Sequence, residues 1–240
     1  MGDAIVIDGG YQHRALKEGF VVQRFWHAEK LRMIEKFSRP AAGERVLDIG
    51  CGSGVLSDAL CAHGATVTAV DGNSDAIGYA RRTFGREGID FQLGQVEDIA
   101  APPGSVDRSY CFEVVEHLFI NQVETLFRRT HELTRPGGTL TVTTPNYSGV
   151  WPAIEWTLDA FKLVPHLDGD QHVTQFTSAR LTESLERTGW QVEMMTTFST
   201  LAPWASVASW NLATRVAELE DSMKLRWGSI LFAVARKSAD

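Results

Sequence analysis

The chain has 240 residues, of which 44% are hydrophobic and 22% are charged, an ordinary balance for a globular protein. Its formal net charge of −7 argues against a general affinity for nucleic acid, because such binding needs Lys and Arg to neutralise phosphates. No apolar run approaches the roughly 18–20 residues that would span a bilayer, and the three cysteines form neither a CxxC pair nor a disulfide framework. A reducing, cytoplasmic setting is expected.

The hydrophobic pattern predicts one long helix and then strands and helices in alternation. Apolar residues at helical spacing predict a helix over residues 12–38, which Pro40 ends. Apolar and β-branched runs predict strands at residues 45–49, 66–70, 89–93, 107–112, 139–144, 190–195 and 228–237. Helices are predicted between them at residues 57–64, 74–84, 119–134 and 178–188, with a stop signal at 134–138. This alternation predicts parallel strands joined by crossover helices, with functional loops at the carboxyl ends of the strands.

A glycine-rich loop, Gly50-Cys51-Gly52-Ser53-Gly54, follows the first predicted strand. Glycines at this point let the backbone turn tightly and approach a ligand closely. The loop is not a dinucleotide fingerprint, because Val55 stands where the third glycine would be, and no Gly-Lys-Ser/Thr follows as in a Walker loop. Asp71 ends the second strand and is placed to accept hydrogen bonds from both hydroxyls of a ribose. The pattern predicts a ribose-bearing cofactor without a demanding pyrophosphate.

Five sequence features in order resemble the successive motifs of the class I S-adenosylmethionine-dependent methyltransferases. They are VLDIGCGSG (46–54), Asp71, GQVEDIA (94–100), FEVVEHL (112–118) and RPGGTLTVTTPN (135–146). The resemblance covers about residues 40–146, and more weakly the strands up to residue 237. It implies an α/β fold with a Rossmann-like, doubly wound sheet of seven strands whose last pair is antiparallel.

We expect residues 1–240 to form a single methyltransferase domain with three kinds of segment. Residues 1–40 would be an N-terminal helical lid, residues 41–146 the cofactor-binding core, and residues 147–177 and 196–228 acceptor-binding insertions. Five tryptophans lie in or beside the insertions: Trp151, Trp156, Trp204, Trp210 and Trp227. They suggest an apolar or aromatic pocket, or a platform for a sugar, with core or dimer packing as the alternative.

The resemblance implies S-adenosylmethionine as the cofactor and assigns residues along it. The implied contacts are Asp48, Gly50, Cys51, Gly52, Asp71, Gly72, Asn73, Val96, Glu97, Phe112 and Glu113. Asp48 and Gly50 would line the amino-acid end, and Gly52 would let the backbone pass beneath the ligand. Asp71 would hold the ribose, with Gly72 and Asn73 beside it. Val96 and Glu97 would flank the adenine, while Phe112 and Glu113 would close the methionine side.

An acidic cluster follows the fourth predicted strand, where Glu113, Glu116 and His117 stand at i, i+3 and i+4. If this segment enters a helix, all three side chains face the same side. Two carboxylates and an imidazole then suit either proton abstraction or a divalent cation such as Mg²⁺. The segment is similar to one found in ubiquinone-biosynthesis O-methyltransferases and in small-RNA 3′-terminal 2′-O-methyltransferases. In the RNA branch a downstream histidine completes a metal site, and His172 is the candidate here.

Three interpretations of this cluster stay open: a metal site, a metal-free base at His117, and a purely structural group. An alcohol or phenol must lose its proton when it is methylated, so the cluster favours oxygen as the acceptor atom. The predicted function is methyl transfer to a hydroxyl of an aromatic, lipid-like or sugar-containing small molecule.

Two alternatives to that function are kept. One is an RNA 3′-terminal 2′-O-methyltransferase with a divalent metal, although the Arg- and Trp-rich signature of that branch is absent after His172. The other is a catalytically silent S-adenosylmethionine-binding protein. The expected partner is a small-molecule acceptor, nucleic acid and a membrane span are not expected, and a homodimer is an open alternative.

Overall fold

The computed structural model describes residues 8–160, 172–223 and 225–239. Seven strands form one mixed sheet in the order β3-β2-β1-β4-β5-β7-β6. They are β1 Arg45–Ile49, β2 Thr66–Asp71, β3 Ile89–Leu93, β4 Val106–Phe112, β5 Thr134–Pro145, β6 Trp190–Phe198 and β7 Ile230–Lys237. The first five strands pair in parallel, and β7 runs antiparallel to both β5 and β6. The predicted doubly wound sheet, with its antiparallel last pair, is confirmed.

Helices cover both faces of this sheet. They are α1 Tyr11–Glu18, α2 Val21–Phe37, α3 Val55–Ala62, α4 Ser74–Phe84, α5 Ile120–Leu133, α6 Trp151–Ala160, α7 Ser178–Arg187, α8 Ala202–Ala205 and α9 Trp210–Met223. In the described segments, no helix combines the length and the apolar character that crossing a membrane would require. Residues 161–171 of the first predicted insertion lie outside the described residues.

The core lies on both sides of the sheet, because adjacent strand residues point to opposite faces. Leu47 belongs to the cluster on the side of α5 and α7, together with Phe127 and Leu181. Its neighbour Val46 belongs to the cluster on the side of α2, α3 and α4, together with Leu60. The buried sheet therefore fixes the loops at its carboxyl edge from both sides.

Two predicted elements differ from the structure. The single helix predicted over residues 12–38 is two helices, because Gly19 and Phe20 adopt extended backbone between α1 and α2. A Cβ on Gly19 would meet the carbonyl oxygen of Ala15, so the chain leaves the helix at the residue that lacks one. In addition, β5 begins at Thr134, which pairs with Val106 before the register shifts over the predicted stop signal.

Candidate active site

The glycine loop turns directly from β1 into α3 at the carboxyl edge of the sheet. Gly50, Gly52 and Gly54 have φ of 71°, 51° and 85°, in the left-handed region that favours glycine. A Cβ on Gly50 would collide with the side chain of Val114, and one on Gly52 with the side chain of Gln12. The loop therefore requires glycine for its backbone conformation, and also because neighbouring side chains occupy the positions that Cβ atoms would take.

Asp71 ends β2 beside this loop and holds it in place. Its Oδ2 accepts a hydrogen bond from the Gly52 amide at 2.8 Å, and its Oδ1 accepts one from the Asn73 amide at 2.8 Å. An ionised carboxylate offers about four lone-pair positions, so two amide donors leave capacity for further hydroxyl donors. The position fits the ribose assignment, which no contact in the structure tests.

A cleft lies between the glycine loop and the two N-terminal helices. It opens to solvent, and the empty space, counted together with its open mouth, is about 550 Å³. The lining residues are Gln12, Leu16, His27, Lys30, Leu31, Asp48, Gly50, Cys51, Val55, Leu56, Phe112 and Glu113. Five of them are among the expected cofactor contacts: Asp48, Gly50, Cys51, Phe112 and Glu113. The other residues come from α1, α2 and α3.

Buried ionisable groups surround the inner end of the cleft. Asp48 accepts a hydrogen bond from the Ser57 hydroxyl at 2.6 Å, and burial raises the pKa of its carboxyl to about 7. Burial, and then the charge of Lys30, lowers the pKa of His27 to about 3, so this imidazole is neutral at physiological pH. Burial also raises the pKa of the Cys51 thiol, which therefore stays protonated.

An ion pair joins α2 to the end of β4 across the cleft. The Lys30 ammonium contacts Oε2 of Glu113, and both side chains are mostly buried. Glu113 has φ of 56°, which is uncommon for a residue other than glycine, and its buried Oε1 has no hydrogen-bond partner among the described residues. Lys30 also lies 5.0 Å from the ring centroid of Trp26. The cleft thus carries one positive and one negative group side by side.

The predicted acidic cluster is divided in the structure. The segment after β4 is a short 3-10 turn at Val115–His117 rather than an α-helix, so the premise of one shared helical face is wrong. Glu113 pairs with Lys30, whereas Glu116 is buried and its Oε2 accepts a hydrogen bond from the Thr144 hydroxyl at 3.0 Å. Burial, and then the charge of Glu113, raises the pKa of Glu116 well above its ordinary value.

Glu116, His117 and His172 form a separate group. One potential ligand atom from each lies within 4.8 Å of those of the other two. Nδ1 of His172 lies 2.8 Å from the hydroxyl of Tyr147, and the His172 ring centroid is 5.8 Å from that of Trp151. The fold therefore brings His172 next to Glu116 and His117, which are two of the three residues of the predicted cluster.

The two residues expected beside the adenine, Val96 and Glu97, are not among those that line the cleft. Val96 is buried in the core, and Glu97 beside it is exposed, in a 3-10 turn at Val96–Asp98 after β3. A Cβ on Gly72 would meet nothing within 4 Å, and Oδ1 of Asn73 accepts hydrogen bonds from the Asp75 and Ala76 amides at the start of α4. Their assignments as cofactor contacts stay predictions.

The tryptophans of the insertions do not share one pocket. Trp151 is buried and its ring stacks on that of Trp26, with centroids 5.5 Å apart and an angle of 28°. The other four are exposed: Trp156, Trp204, Trp210 and Trp227. Trp151 thus links the first insertion to the neighbourhood of the cleft through Trp26 and His172.

Seven of the lining residues are not among the expected cofactor contacts, and Gln12 and Lys30 are two of them. Oε1 of Gln12 accepts a hydrogen bond from the Ser53 amide at 3.3 Å, which places α1 over the glycine loop. The helical spacing of His27, Lys30 and Leu31 on α2 was available as a signal, since residues at i, i+3 and i+4 share a helix face. The sequence alone did not show that this face lines the cleft opposite the glycine loop.

Comparisons with known proteins identify the family of this chain. A family model described as a methyltransferase domain matches residues 21–194. The chain is 33% identical over 189 residues to a ubiquinone biosynthesis O-methyltransferase of Xanthomonas euvesicatoria pv. vesicatoria, an alignment that covers 76% of this chain and 77% of that protein. It is 28% identical over 177 residues to a probable S-adenosylmethionine-dependent methyltransferase of Mycolicibacterium smegmatis, over 73% of this chain and 63% of that one.

The fold also matches solved structures. A SAM-dependent methyltransferase from Archaeoglobus fulgidus superposes with a TM-score of 0.64 at 18% identity, over 95% of this chain and 99% of that chain. At this identity the likeness concerns the fold. The family model and the sequence relatives together settle the family, and the chain belongs to the S-adenosylmethionine-dependent methyltransferases.

Proposed function

We propose that this methyltransferase transfers the methyl group of S-adenosylmethionine to a hydroxyl of a small molecule. The observation that supports oxygen as the acceptor atom is the gathering of Glu116, His117 and His172 within 4.8 Å. Such a group can receive or relay the proton that a hydroxyl loses. The relative named ubiquinone biosynthesis O-methyltransferase supports the same class of reaction.

The residues of the cleft fit this cofactor. Gly50 turns the backbone at the wall of the cleft with a φ of 71°, and Glu113 offers a buried oxygen that has no hydrogen-bond partner among the described residues. When bound, the cofactor would supply an electrophilic methyl group on a sulfonium. Asp71 would hold its ribose, and the neutral His27 would add no second positive charge beside that cation.

The Lys30–Glu113 pair is complementary to the amino-acid end of the cofactor. That end is a zwitterion, with an ammonium that needs a carboxylate and a carboxylate that needs a cation. Glu113 would accept from the ammonium and Lys30 would contact the carboxylate, so that both protein charges remain paired in the closed site.

Lys30→Met tests this assignment, because methionine keeps the aliphatic stem and removes the charge. S-adenosylhomocysteine carries the zwitterion, whereas 5′-methylthioadenosine lacks it and keeps the nucleoside. Calorimetry should show weaker binding of S-adenosylhomocysteine to the variant, by about 10- to 100-fold for a lost charged contact, and unchanged binding of 5′-methylthioadenosine. Equal affinities of wild type and variant for S-adenosylhomocysteine would exclude the role.

An aromatic surface extends from the cleft toward the predicted proton-handling group. Trp26 lies next to Lys30 and stacks on Trp151, and Trp151 lies next to His172. Trp26, which is partly exposed whereas Trp151 is buried, favours an acceptor with an aromatic or apolar body. We therefore favour a phenol or catechol over a free sugar.

The proposal includes a divalent ion at Glu116, His117 and His172. Glu113 of the predicted cluster is left out of this site, because it pairs with Lys30. One carboxylate and two imidazoles suit Zn²⁺ or Mn²⁺ better than Mg²⁺, which prefers oxygen ligands. The hydroxyl of Tyr147 beside Nδ1 of His172 resembles the outer hydrogen bonds that orient ligating histidines. Calorimetric titration with Zn²⁺, Mn²⁺ and Mg²⁺ should show binding of the first two that His172→Ala abolishes. Without any such binding, His117 would act as a metal-free base.

Turnover tests the reaction itself. Wild-type protein should transfer labelled methyl from S-adenosylmethionine to members of a panel of phenols and catechols, with an O-methylated product identified by mass spectrometry. His117→Asn should lower turnover by about 100-fold or more, as expected for removal of a general base. His63→Asn is the matched control, since His63 pairs with Glu35 and is not among the residues that line the cleft. A wild type that binds S-adenosylmethionine but methylates no acceptor would point to the catalytically silent alternative.

RNA is the weaker acceptor candidate, because the net charge of −7 opposes the binding of a phosphate backbone. Salt-sensitive binding of small RNAs at low ionic strength would reverse this ranking. A homodimer and a cytoplasmic location stay predictions.

The division of the single domain also belongs to the proposal. We assign residues 1–40 as the lid, because α1 and α2 form one wall of the cleft, although residues 1–7 of this segment lie outside the described residues. Residues 41–146 would bind the cofactor. The acceptor would contact residues 147–177 and 196–228, and for the first of these segments the stacking of Trp151 on Trp26 is the supporting contact.

A further inference from the structure

Helix α2 presents two different faces. One face carries His27, Lys30 and Leu31 into the cleft. Another carries Phe25, which packs against Ala213 and Ala217 of α9. Contacts that hold this second face in place therefore also fix the position of Lys30 relative to the edge of the sheet.

A group of four charged residues, which we call the α2–α9 ion cluster, holds that second face. It consists of Glu29, Arg32 and Lys36 on α2 and Asp221 on α9. Arg32 donates to both oxygens of Asp221, at 2.6 and 3.3 Å, and to both oxygens of Glu29, at 2.8 and 2.9 Å. Lys36 donates to Asp221 at 2.7 Å. The side chains of Glu29 and Asp221 are each only 3% exposed.

The end of α9 is itself fastened to the rest of the chain. Glu220, next to Asp221, accepts hydrogen bonds from the amides of Thr200, Leu201 and Ala202, which lead into α8. Phe25 of α2 meets Trp210 at the start of α9 in an edge-to-face contact, with centroids 4.9 Å apart. Helices α2, α8 and α9 therefore pack together on the side of α2 that faces away from the cleft.

A shift of α2 along α9 would separate Arg32 from the Asp221 carboxylate, whose side chain is only 3% exposed. Breaking one partner from a buried pair leaves an uncompensated charge, which is strongly unfavourable. The bidentate geometry of Arg32 further restricts the relative position of the two helices. The ion cluster thus favours one placement of α2, and of the Lys30 side chain that α2 carries.

We propose that Asp221 is a positioning residue for the cofactor: through Arg32 it fixes α2 so that Lys30 meets the amino-acid end of the ligand. This inference rests on the proposed function, since it takes the role of Lys30 from there. Asp221 itself touches neither the cleft nor any residue of the glycine loop in the contacts of the described chain.

The test compares Asp221→Asn with Glu218→Gln, an exposed position on the same helix. In the first variant, calorimetry should show binding of S-adenosylhomocysteine weakened by about 3- to 30-fold, the range of mutations that act on a site without touching its ligand. Binding of 5′-methylthioadenosine, which lacks the amino-acid end, should be unchanged. The control should bind both ligands like the wild type. Equal weakening of both ligands, or no weakening, in folded Asp221→Asn would overturn the inference.

A double variant shows whether Asp221 acts through Lys30. In a Lys30→Met background, Asp221→Asn should weaken S-adenosylhomocysteine binding no further, because the group that it positions is gone. Additive losses would contradict the proposed route. If Asp221→Asn does not fold, Lys36→Met removes the half-exposed member of the cluster and should give the same ligand pattern at a smaller amplitude.

The outcomes also separate this inference from the proposed function. Unchanged binding in Lys30→Met alone refutes the assignment of Lys30 to the zwitterion. Weakened binding in Lys30→Met together with wild-type binding in Asp221→Asn refutes only the positioning role.

Discussion

Replacing Asp71 should weaken cofactor binding more than it weakens the fold. Its two oxygens already accept amides of Gly52 and Asn73 at 2.8 Å, and the ribose hydroxyls would add two further donors. In Asp71→Asn one oxygen becomes an amide nitrogen, which faces one of those amide donors and cannot accept from a hydroxyl. A hydrogen bond to a charged group contributes about 1.5–3 kcal/mol. Binding of S-adenosylhomocysteine should therefore weaken by about 10- to 150-fold.

Calorimetry at neutral pH measures this loss, and thermal unfolding without ligand measures the separate effect on the loop. Asp75→Asn is the matched control, because this carboxylate is exposed four residues further along the chain. It should bind the ligand like the wild type. If Asp71→Asn is folded and binds S-adenosylhomocysteine with wild-type affinity, the ribose does not lie at the end of β2, and the orientation of the cofactor in the cleft must be revised.

Three further predictions concern the loop, pH and packing. Gly50→Ala should lower the thermal midpoint and abolish cofactor binding, because of its φ of 71° and the collision with Val114, whereas Gly72→Ala, with open space around it, should unfold like the wild type. The pKa of Asp48 is raised to about 7, so its contribution to the free energy of unfolding is complete below about pH 4 and is lost as the pH rises to 7. Asp48→Asn should flatten that decline in urea unfolding of the ligand-free protein, and an unchanged slope would contradict the assignment. Trp151→Ala should lower the free energy of unfolding by about 3–5 kcal/mol in urea, against less than about 0.5 kcal/mol for the exposed Trp156→Ala.

The sheet was predictable because its strands are short apolar runs between turn-forming residues. Val46, Leu47 and Ile49 are buried because β1 is covered on both faces, and such strands read as continuous hydrophobic segments. The break between α1 and α2 was not predicted, since apolar residues continue at helical spacing through Gly19. One glycine within such a pattern is not by itself a stop signal.

The site was predictable where its residues follow strands directly, as with the glycine loop and Asp71. Glu113 was harder, because its positive φ depends on the surrounding structure and turns the side chain toward Lys30 instead of onto a helical face. Lys30 is far in sequence from its partner Glu113, and Asp221 is far in sequence from its partner Arg32. Pairings at such separation come from tertiary packing, which local periodicity does not encode.

The position of β7 between β5 and β6 has a consequence for synthesis on the ribosome. β5 and β6 do not pair with each other, and each hydrogen-bonds to β7. Until residues 230–237 have been translated, β6 has no neighbour in the sheet and β5 presents an unpaired edge. Nascent chains arrested before that point should therefore be vulnerable to intermolecular strand pairing, and chaperones would be most needed during this interval.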